Sequence, residues 1–197
     1  MSRLIETIRL LDGQFHNLDY HQQRVTRAFR DLLKLPGTLD LSKILIKDVP
    51  AKGLFKCRLL YHKSVESLTF TPYTIRYVKS LRMVIHDTID YGHKFEDRNV
   101  LNELFEQRDS CDDVLIIKKG MVTDASYSNI LLKKKSEWFT PASCLLQGTM
   151  RQRLIDDGRL RIEEIKAGDI VDFDKFKLIN SMLLDQGPET DVTSIVR

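Results

Sequence analysis

The chain lacks the features that mark several large classes of protein. Its 197 residues include only three cysteines, Cys57, Cys111 and Cys144, and no two of them form a CxxC pair. A disulfide framework and a zinc site are therefore not expected, and the cysteine count suits a reducing cytoplasm. No apolar run reaches the roughly 20 residues that cross a bilayer, and the first residues contain no apolar signal core. Because the net charge is only +3, we expect a soluble cytoplasmic protein that binds neither nucleic acid nor membranes.

Hydrophobic patterning predicts an α+β protein built from two lobes. The first lobe, residues 1–86, begins with a hairpin that turns at Asp12 and Gly13, and Asn17 is placed to cap the helix that follows. Its predicted elements are a hairpin over 4–16, helices over 18–34 and 41–48, and strands over 55–62, 67–73 and 75–85. Because no helix separates these three strands, we expect them to pair antiparallel.

A polar loop over 87–97 precedes the second lobe, residues 98–197. Helices and strands alternate in this lobe. Its predicted elements are helices over 98–108 and 149–158, strands over 114–117, 121–123, 129–133 and 138–140, and short strands over 162–181. The sequence contains no internal repeat and no low-complexity segment.

Four separate segments carry side chains that could serve one cofactor. Lys94 lies in the interlobe loop, Asp124 follows a strand, Gly148 precedes a helix, and Arg24 lies on the first helix. Pyridoxal phosphate needs an amine for covalent attachment, an acid for its ring nitrogen, and amides with a cation for its phosphate. Each residue also has an ordinary structural alternative: a solvated lysine, a turn aspartate, a glycine turn or a surface arginine. These residues alone do not single out the cofactor.

Asn129 follows Asp124 by five residues, which places the two side chains on opposite faces of an extended chain. We therefore expect the Asn129 carboxamide to secure the backbone of the loop rather than to contact the cofactor ring. At the helix start, the exposed amides of Thr149 and Met150 favour an anion.

The ordered set of motifs resembles the class IV aminotransferase family, the fold type IV pyridoxal-phosphate enzymes. IETIRLLDG at 5–13 resembles the family's FETIR-x-x-DG, and LDYHQQRV at 18–25 resembles L-x-x-H-x-x-R-L. VTDASYSNI at 122–130 resembles V-T-E-x-x-x-x-N-[IL], and WFTP at 138–141 resembles x-[YF]-T-P. KFEDR at 94–98 and GTMRQ at 148–152 look most like the K-x-x-N-R and G-I-[TM]-R-Q of 4-amino-4-deoxychorismate lyase.

The resemblance implies a two-lobed fold, with residues 98–197 forming an α/β-barrel-like lobe, and a small amino substrate. Lys94 falls at the position of the lysine that bonds to the cofactor and moves protons. The remaining implied cofactor contacts are Arg24, Asp124, Gly148, Thr149, Met150, Asn180 and Ser181. The implied reaction is lyase-type elimination giving 4-aminobenzoate and pyruvate, or transamination of branched-chain or D-amino acids. Family members are usually homodimers.

Two departures from the family pattern bear on function. The family usually has a strand-rich segment before the FET motif, so we expect an N-terminally shortened version of the fold. The ring-nitrogen acid is usually glutamate, whereas Asp124 is one methylene, about 1.5 Å, shorter. Both departures leave open a family member that binds the cofactor without catalysis. Arg76, Arg98 and Tyr127 are candidate contacts for a substrate carboxylate.

Overall fold

The computed structural model describes residues 3–197 and divides them into two compact units. The first unit contains the chain up to Ile75 and a second short segment, His93–Asp97. The second unit contains Arg76–Gly92 and Arg98–Arg197. The boundary therefore falls before residue 76 rather than at 86, and the expected interlobe loop is shared between the two units.

The first unit is a four-stranded antiparallel sheet covered by helices, and its strands run in the order β2-β1-β3-β4. Its elements are β1 (Leu4–Leu11), β2 (Gln14–Phe15), α1 (Leu18–Asp31), α2 (Leu41–Ile44), β3 (Leu54–Tyr61) and β4 (Val65–Pro72). The predicted hairpin is confirmed, and it turns at Asp12 and Gly13, which both have positive φ. Residues from β1, α1 and β3 form the core of this unit.

The first helix differs from the prediction at both ends. Asn17 precedes α1 but takes a left-handed conformation with φ 55°, and its side chain makes no capping hydrogen bond. α1 ends at Asp31 rather than near residue 34, because the left-handed Lys34 at φ 54° turns the chain away. Val25 and Phe29, which the helical spacing predicted to be buried, pack in the core.

The second unit is built on a larger sheet with the strand path β10-β9-β8-β7-β6-β5-β13, and β11 pairs with β8 and β12 beside this path. Its strands are β5 (Leu81–Ile85), β6 (Asp113–Lys118), β7 (Met121–Ala125), β8 (Asn129–Lys134), β9 (Glu137–Pro141), β10 (Arg161–Glu163), β11 (Lys175–Ile179), β12 (Thr190–Asp191) and β13 (Ile195–Val196). Its helices are α3 (Asn99–Glu106) and α4 (Thr149–Asp156), with short 3₁₀ turns at Ala167–Asp172 and Val192–Ser194.

The strand predicted over 75–85 is shorter and pairs differently. Only Leu81–Ile85 is a strand, and it pairs in parallel with β6 and β13. The expected antiparallel pairing with the first lobe is therefore wrong for this segment. A parallel neighbour needs a crossover connection, and the chain that includes α3 supplies it between β5 and β6. Leu81, Leu115 and Ile117 then join one apolar core.

None of the helices within 3–197 is long and apolar enough to cross a membrane. The same residues contain no group of three or more His, Cys, Asp or Glu side chains arranged to hold a metal ion.

Candidate functional site

A buried cluster of charged side chains lies between β1 and α1 in the first unit. Leu4 and Ile8 on one face of β1 pack in the core, and Glu6 lies between them on the same face. His21 and Arg24, three residues apart on α1, share one helix face. His21 Nδ1 lies 2.5 Å from Glu6 Oε2, while Arg24 donates from Nε to Oε1 at 2.8 Å and from Nη2 to Oε2 at 2.5 Å. All three residues are buried.

Charge pairing decides the protonation state of this cluster. Burial by itself would raise the pKa of Glu6, but Arg24 and His21 outweigh burial and hold that pKa at about 2. Burial lowers the pKa of His21 despite the opposing effect of Glu6. A neutral His21 that donates from Nδ1 presents an acceptor at Nε2, and this buried atom has no hydrogen-bond partner within residues 3–197. The cluster is thus an anionic carboxylate, a guanidinium and a neutral imidazole.

The Glu6→Gln substitution is expected to destabilise the protein at pH 7 by about 3 kcal/mol, because the pKa of Glu6 is lowered from 4.5 to about 2 on folding. A carboxyl whose pKa is lowered on folding contributes stability above the unfolded pKa and loses it as the pH falls through the folded pKa. The stability difference between wild type and Glu6→Gln should therefore shrink between pH 4.5 and pH 2. Urea unfolding at several pH values measures this difference.

Asp31→Asn provides the matched control, because Asp31 pairs with Arg30 on the exposed side of the same helix. We expect no measurable change in stability from the loss of this surface pair. A Glu6→Gln effect that stays constant from pH 7 to pH 3 would contradict the assigned charge state.

Lys94 is held in the first unit through its backbone and its neighbours. Ile5 N donates to Lys94 O at 2.9 Å, and Glu96 N donates to Arg3 O at 2.9 Å, so the segment adds to the free edge of β1. The Phe95 side chain packs on the core. The Glu96 carboxylate pairs with Arg3 at 2.6 Å and with Arg58 at 2.9 Å. The Lys94 side chain is part of the same charged neighbourhood, since its ammonium contributes to lowering the pKa of His21.

Asp124 is a buried acid at the end of β7 in the second unit. Asn129 Nδ2 donates to Asp124 Oδ1 at 2.7 Å, and Leu146 N donates to Oδ2 at 2.9 Å. Burial raises the pKa of Asp124 to about 6 despite these hydrogen bonds. A nearby positive charge would lower this pKa and ionise the carboxyl fully.

The expectation that Asp124 and Asn129 lie on opposite faces is wrong. The chain turns between β7 and β8, so that Asp124 and Asn129 become a cross-strand pair. Asn129 Nδ2 also donates to Leu146 O at 2.9 Å, and the amide thus secures the loop before α4, as its predicted role requires. The period of an extended strand could not reveal a turn within these six residues.

The start of α4 forms a second polar position in the same unit. Gly148 precedes the helix, and a Cβ added at this residue would overlap Asn129 Oδ1. Thr149 is buried, and its Oγ1 has no hydrogen-bond partner in the part of the chain that the structure describes. Met150 is buried as well. The helix start therefore combines a buried hydroxyl that has no hydrogen-bond partner within residues 3–197 with a close approach of Asn129 Oδ1 to Gly148, at a helix end that favours an anion.

Asn180 uses its side chain within the second unit. Its Nδ2 donates to Ser128 Oγ at 3.0 Å, and its Oδ1 accepts from Met182 N and Leu183 N at 2.9 and 2.8 Å. Asn180 thereby ties the turn after β11 to the loop that follows Asp124. The half-buried Ser181 lies next to it. A cofactor contact of either residue stays a prediction.

The three candidate contacts for a substrate carboxylate have different surroundings in the structure. Arg98 Nη2 donates to Ser126 O at 2.6 Å, and its guanidinium stacks 4.2 Å from the centre of the Tyr127 ring. Tyr127 is 54% exposed, so its ring remains accessible. Arg76 is exposed and interacts electrostatically with the buried Asp113. Sequence reasoning missed Asp113, which accepts from Ser126 Oγ at 2.5 Å, because a buried acid at a strand start has no distinctive pattern.

Comparison with known proteins connects this arrangement to a family. A family model described as amino-transferase class IV matches residues 3–184. The crystal structure of a protein from Haemophilus somnus, provisionally named a 4-amino-4-deoxychorismate lyase, is similar with a TM-score of 0.86 and 34% identity, over 92% of this chain and 97% of that chain. This similarity confirms the predicted α+β fold of type IV.

Two further relatives match most of the chain. An uncharacterized protein of Haemophilus influenzae is 34% identical over 185 residues, which cover 92% of this chain and 98% of the relative. A Schizosaccharomyces pombe protein, provisionally named an aminodeoxychorismate lyase, is 26% identical over 214 residues, which cover 95% of this chain and 92% of the relative.

Proposed function

Because the chain belongs to the amino-transferase class IV family, we propose that it binds pyridoxal 5'-phosphate and acts on a small amino substrate. The observation that carries this proposal is the buried Thr149 Oγ1 at the start of α4, which has no hydrogen-bond partner among residues 3–197. Gly148, which directly precedes the helix, lets Asn129 Oδ1 approach the backbone closely. A phosphate at this helix start would accept from the Thr149 hydroxyl and would be favoured by the positive end of the helix dipole.

Asp124 suits the opposite, cationic end of the cofactor. Its Oδ1 accepts from Asn129 Nδ2 and its Oδ2 from Leu146 N, and a carboxylate oxygen has lone pairs for more than one hydrogen bond. A carboxyl whose pKa burial has raised to about 6 gains most from a positively charged partner. A protonated ring nitrogen is such a partner, and Asn129 and the loop at Leu146 hold the acid in a fixed orientation.

Side chains and amides of the chain supply the remaining roles in the proposed reaction. Pyridoxal phosphate, when bound, supplies an electron-withdrawing ring that accepts the electron pair left by a broken bond. Lys94 attaches the cofactor, then removes the proton from the carbon that bears the substrate amine and returns a proton later. Arg24, with its orientation fixed by Glu6, and the amides of Thr149 and Met150 bind the phosphate. Asn180 or Ser181 assists these contacts.

Lyase-type elimination is the reaction that we favour. Relatives at 34% and 26% identity carry provisional lyase names, and the segments at 94–98 and 148–152 resemble the lyase most. The substrate would be 4-amino-4-deoxychorismate. Removal of the proton from its amine-bearing carbon, with cleavage of the C–O bond to the enolpyruvyl group, gives 4-aminobenzoate and pyruvate. We also propose that the protein works as a homodimer in the cytoplasm.

The reaction assay uses purified protein saturated with pyridoxal phosphate and supplied with 4-amino-4-deoxychorismate. We expect 4-aminobenzoate and pyruvate in equal amounts, and no product above background from protein stripped of the cofactor. Transfer of an amino group from branched-chain or D-amino acids to a 2-oxo acid, without 4-aminobenzoate, would identify an aminotransferase instead. Cofactor binding without either reaction would identify a non-catalytic family member.

A further inference from the structure

The segment that carries Lys94 is an excursion of the chain from the second unit. The chain leaves that unit after Gly92 and returns to it at Arg98. The position of Lys94 therefore depends on how these two points are held as well as on the pairing of the segment with β1. Tyr91 and Arg98 stand at the two ends of the excursion, and both belong to the second unit.

Arg98 connects the two ends. Its Nη1 donates to Tyr91 OH at 3.2 Å, and its guanidinium lies 5.6 Å from the centre of the Tyr91 ring. The contact joins Tyr91, two residues before the excursion, to Arg98, the residue directly after it. A planar guanidinium can make this contact and a second one in another direction, which the single ammonium of lysine cannot reproduce.

The second contact of Arg98 reaches the loop that follows Asp124. Its Nη2 donates to Ser126 O at 2.6 Å, and its Cζ lies 4.2 Å from the centre of the Tyr127 ring. The loop itself is firmly placed, because the buried Asp113 accepts from Ser126 Oγ at 2.5 Å. Tyr127 further contacts Phe105 on α3 edge to face. Arg98 is thus attached to a rigid part of the second unit.

We infer that Arg98 is a positioning residue, which ties both ends of the Lys94 segment to the loop beside Asp124. Its role in the reaction rests on the proposed function. Its mechanical role, which is to hold the two ends of the Lys94 segment, does not. Two of its nitrogens donate to groups of the chain, and its Nε is buried without a partner among residues 3–197. The two contacts with Tyr91 and Ser126 favour a positioning role over a contact with a substrate carboxylate.

Hydrogen–deuterium exchange of the protein without cofactor tests the mechanical role. In Arg98→Met we expect amides in 91–98 and 124–129 to exchange roughly tenfold faster, the size expected when a charge-assisted hydrogen bond is lost. Arg108→Met is the matched control, since Arg108 also lies over an aromatic ring, Phe105, and donates to a backbone carbonyl. It should leave exchange in both segments unchanged. Unchanged exchange in Arg98→Met would overturn the inference.

Kinetics with the cofactor bound tests the consequence for the reaction. A positioning role predicts that Arg98→Met lowers kcat at least tenfold with a KM within about threefold of wild type, and that Arg98→Lys recovers little of the loss. A raised KM with unchanged kcat and unchanged exchange would show a substrate contact and overturn the inference. If the protein binds no cofactor at all, the proposed function fails, and the exchange experiment still decides the role of Arg98.

Discussion

Lys94→Ala is expected to abolish the cofactor-dependent reaction, with a loss of at least about 10⁴-fold in kcat, because in the proposed function this one side chain supplies both covalent attachment and proton transfer. The substitution should leave the fold intact. The segment is anchored by the backbone bond from Ile5 N to Lys94 O, by the packing of Phe95 and by the ion pairs of Glu96. None of these anchors uses the lysine ammonium.

Borohydride reduction followed by mass spectrometry of peptides measures the attachment directly. Wild-type protein should carry the reduced cofactor on the peptide that contains Lys94, and Lys94→Ala should carry none. Lys63→Ala, at an exposed turn of the same unit, should label and react like wild type. The same reducible adduct in Lys94→Ala would refute the assignment of this residue.

Asp124→Ala is expected to lower kcat by roughly 10²–10³-fold, because in the proposed function the Asp124 carboxylate stabilises a protonated ring nitrogen. The substitution also removes the acceptor for Asn129 Nδ2 and Leu146 N. Asn129→Ala separates these effects, because it removes the hydrogen bond and keeps the carboxyl. It should lower stability with a smaller loss of kcat. Equal kcat losses in the two variants would argue against a direct role for Asp124.

The pH dependence follows from the raised pKa of Asp124. The pKa is about 6 in the protein without a bound cation, so the carboxyl ionises only as the pH rises through this value. Because the folded pKa lies above the value of 3.8 for the unfolded chain, ionisation costs the protein without cofactor about 3 kcal/mol as the pH rises from 4 to 6. Bound cofactor with a cationic nitrogen should lower this pKa. Cofactor affinity measured by fluorescence should therefore increase from pH 5 to pH 7, and Asp124→Ala should flatten the profile.

Local sequence patterns predicted the first hairpin and the buried face of the first helix because both depend on residues that are close along the chain. The Asp12-Gly13 turn and the spacing of Val25 and Phe29 determined the hairpin and the helix face. The same helix face carries His21 and Arg24, but their partner Glu6 is a charged residue on an apolar strand face. Hydrophobic periodicity treats such a residue as an interruption, so the buried cluster was not predicted.

Contacts distant in sequence limited the prediction of the second unit. The strand Leu81–Ile85 pairs with β6 about thirty residues later and in parallel, and an apolar run is equally compatible with either strand direction. The side chain of Asn180 was assigned only from the family, whereas the structure uses it to hold Ser128. The order of the motifs predicted which residues share a function, but side-chain partners depend on packing that no single segment contains.

The pairing of residues 93–97 with β1 has a consequence for the synthesis and dissection of the chain. A ribosome adding residues from the N-terminus completes the sequence up to Ile75 before it makes the partner of Arg3 and Ile5. Residues 76–92, which belong to the second unit, must therefore be made before the first unit can form its hydrogen bonds with residues 93–97. A gene fragment that ends at residue 75 would lack Phe95 from its core, and a stable excised unit needs a linker that restores this segment.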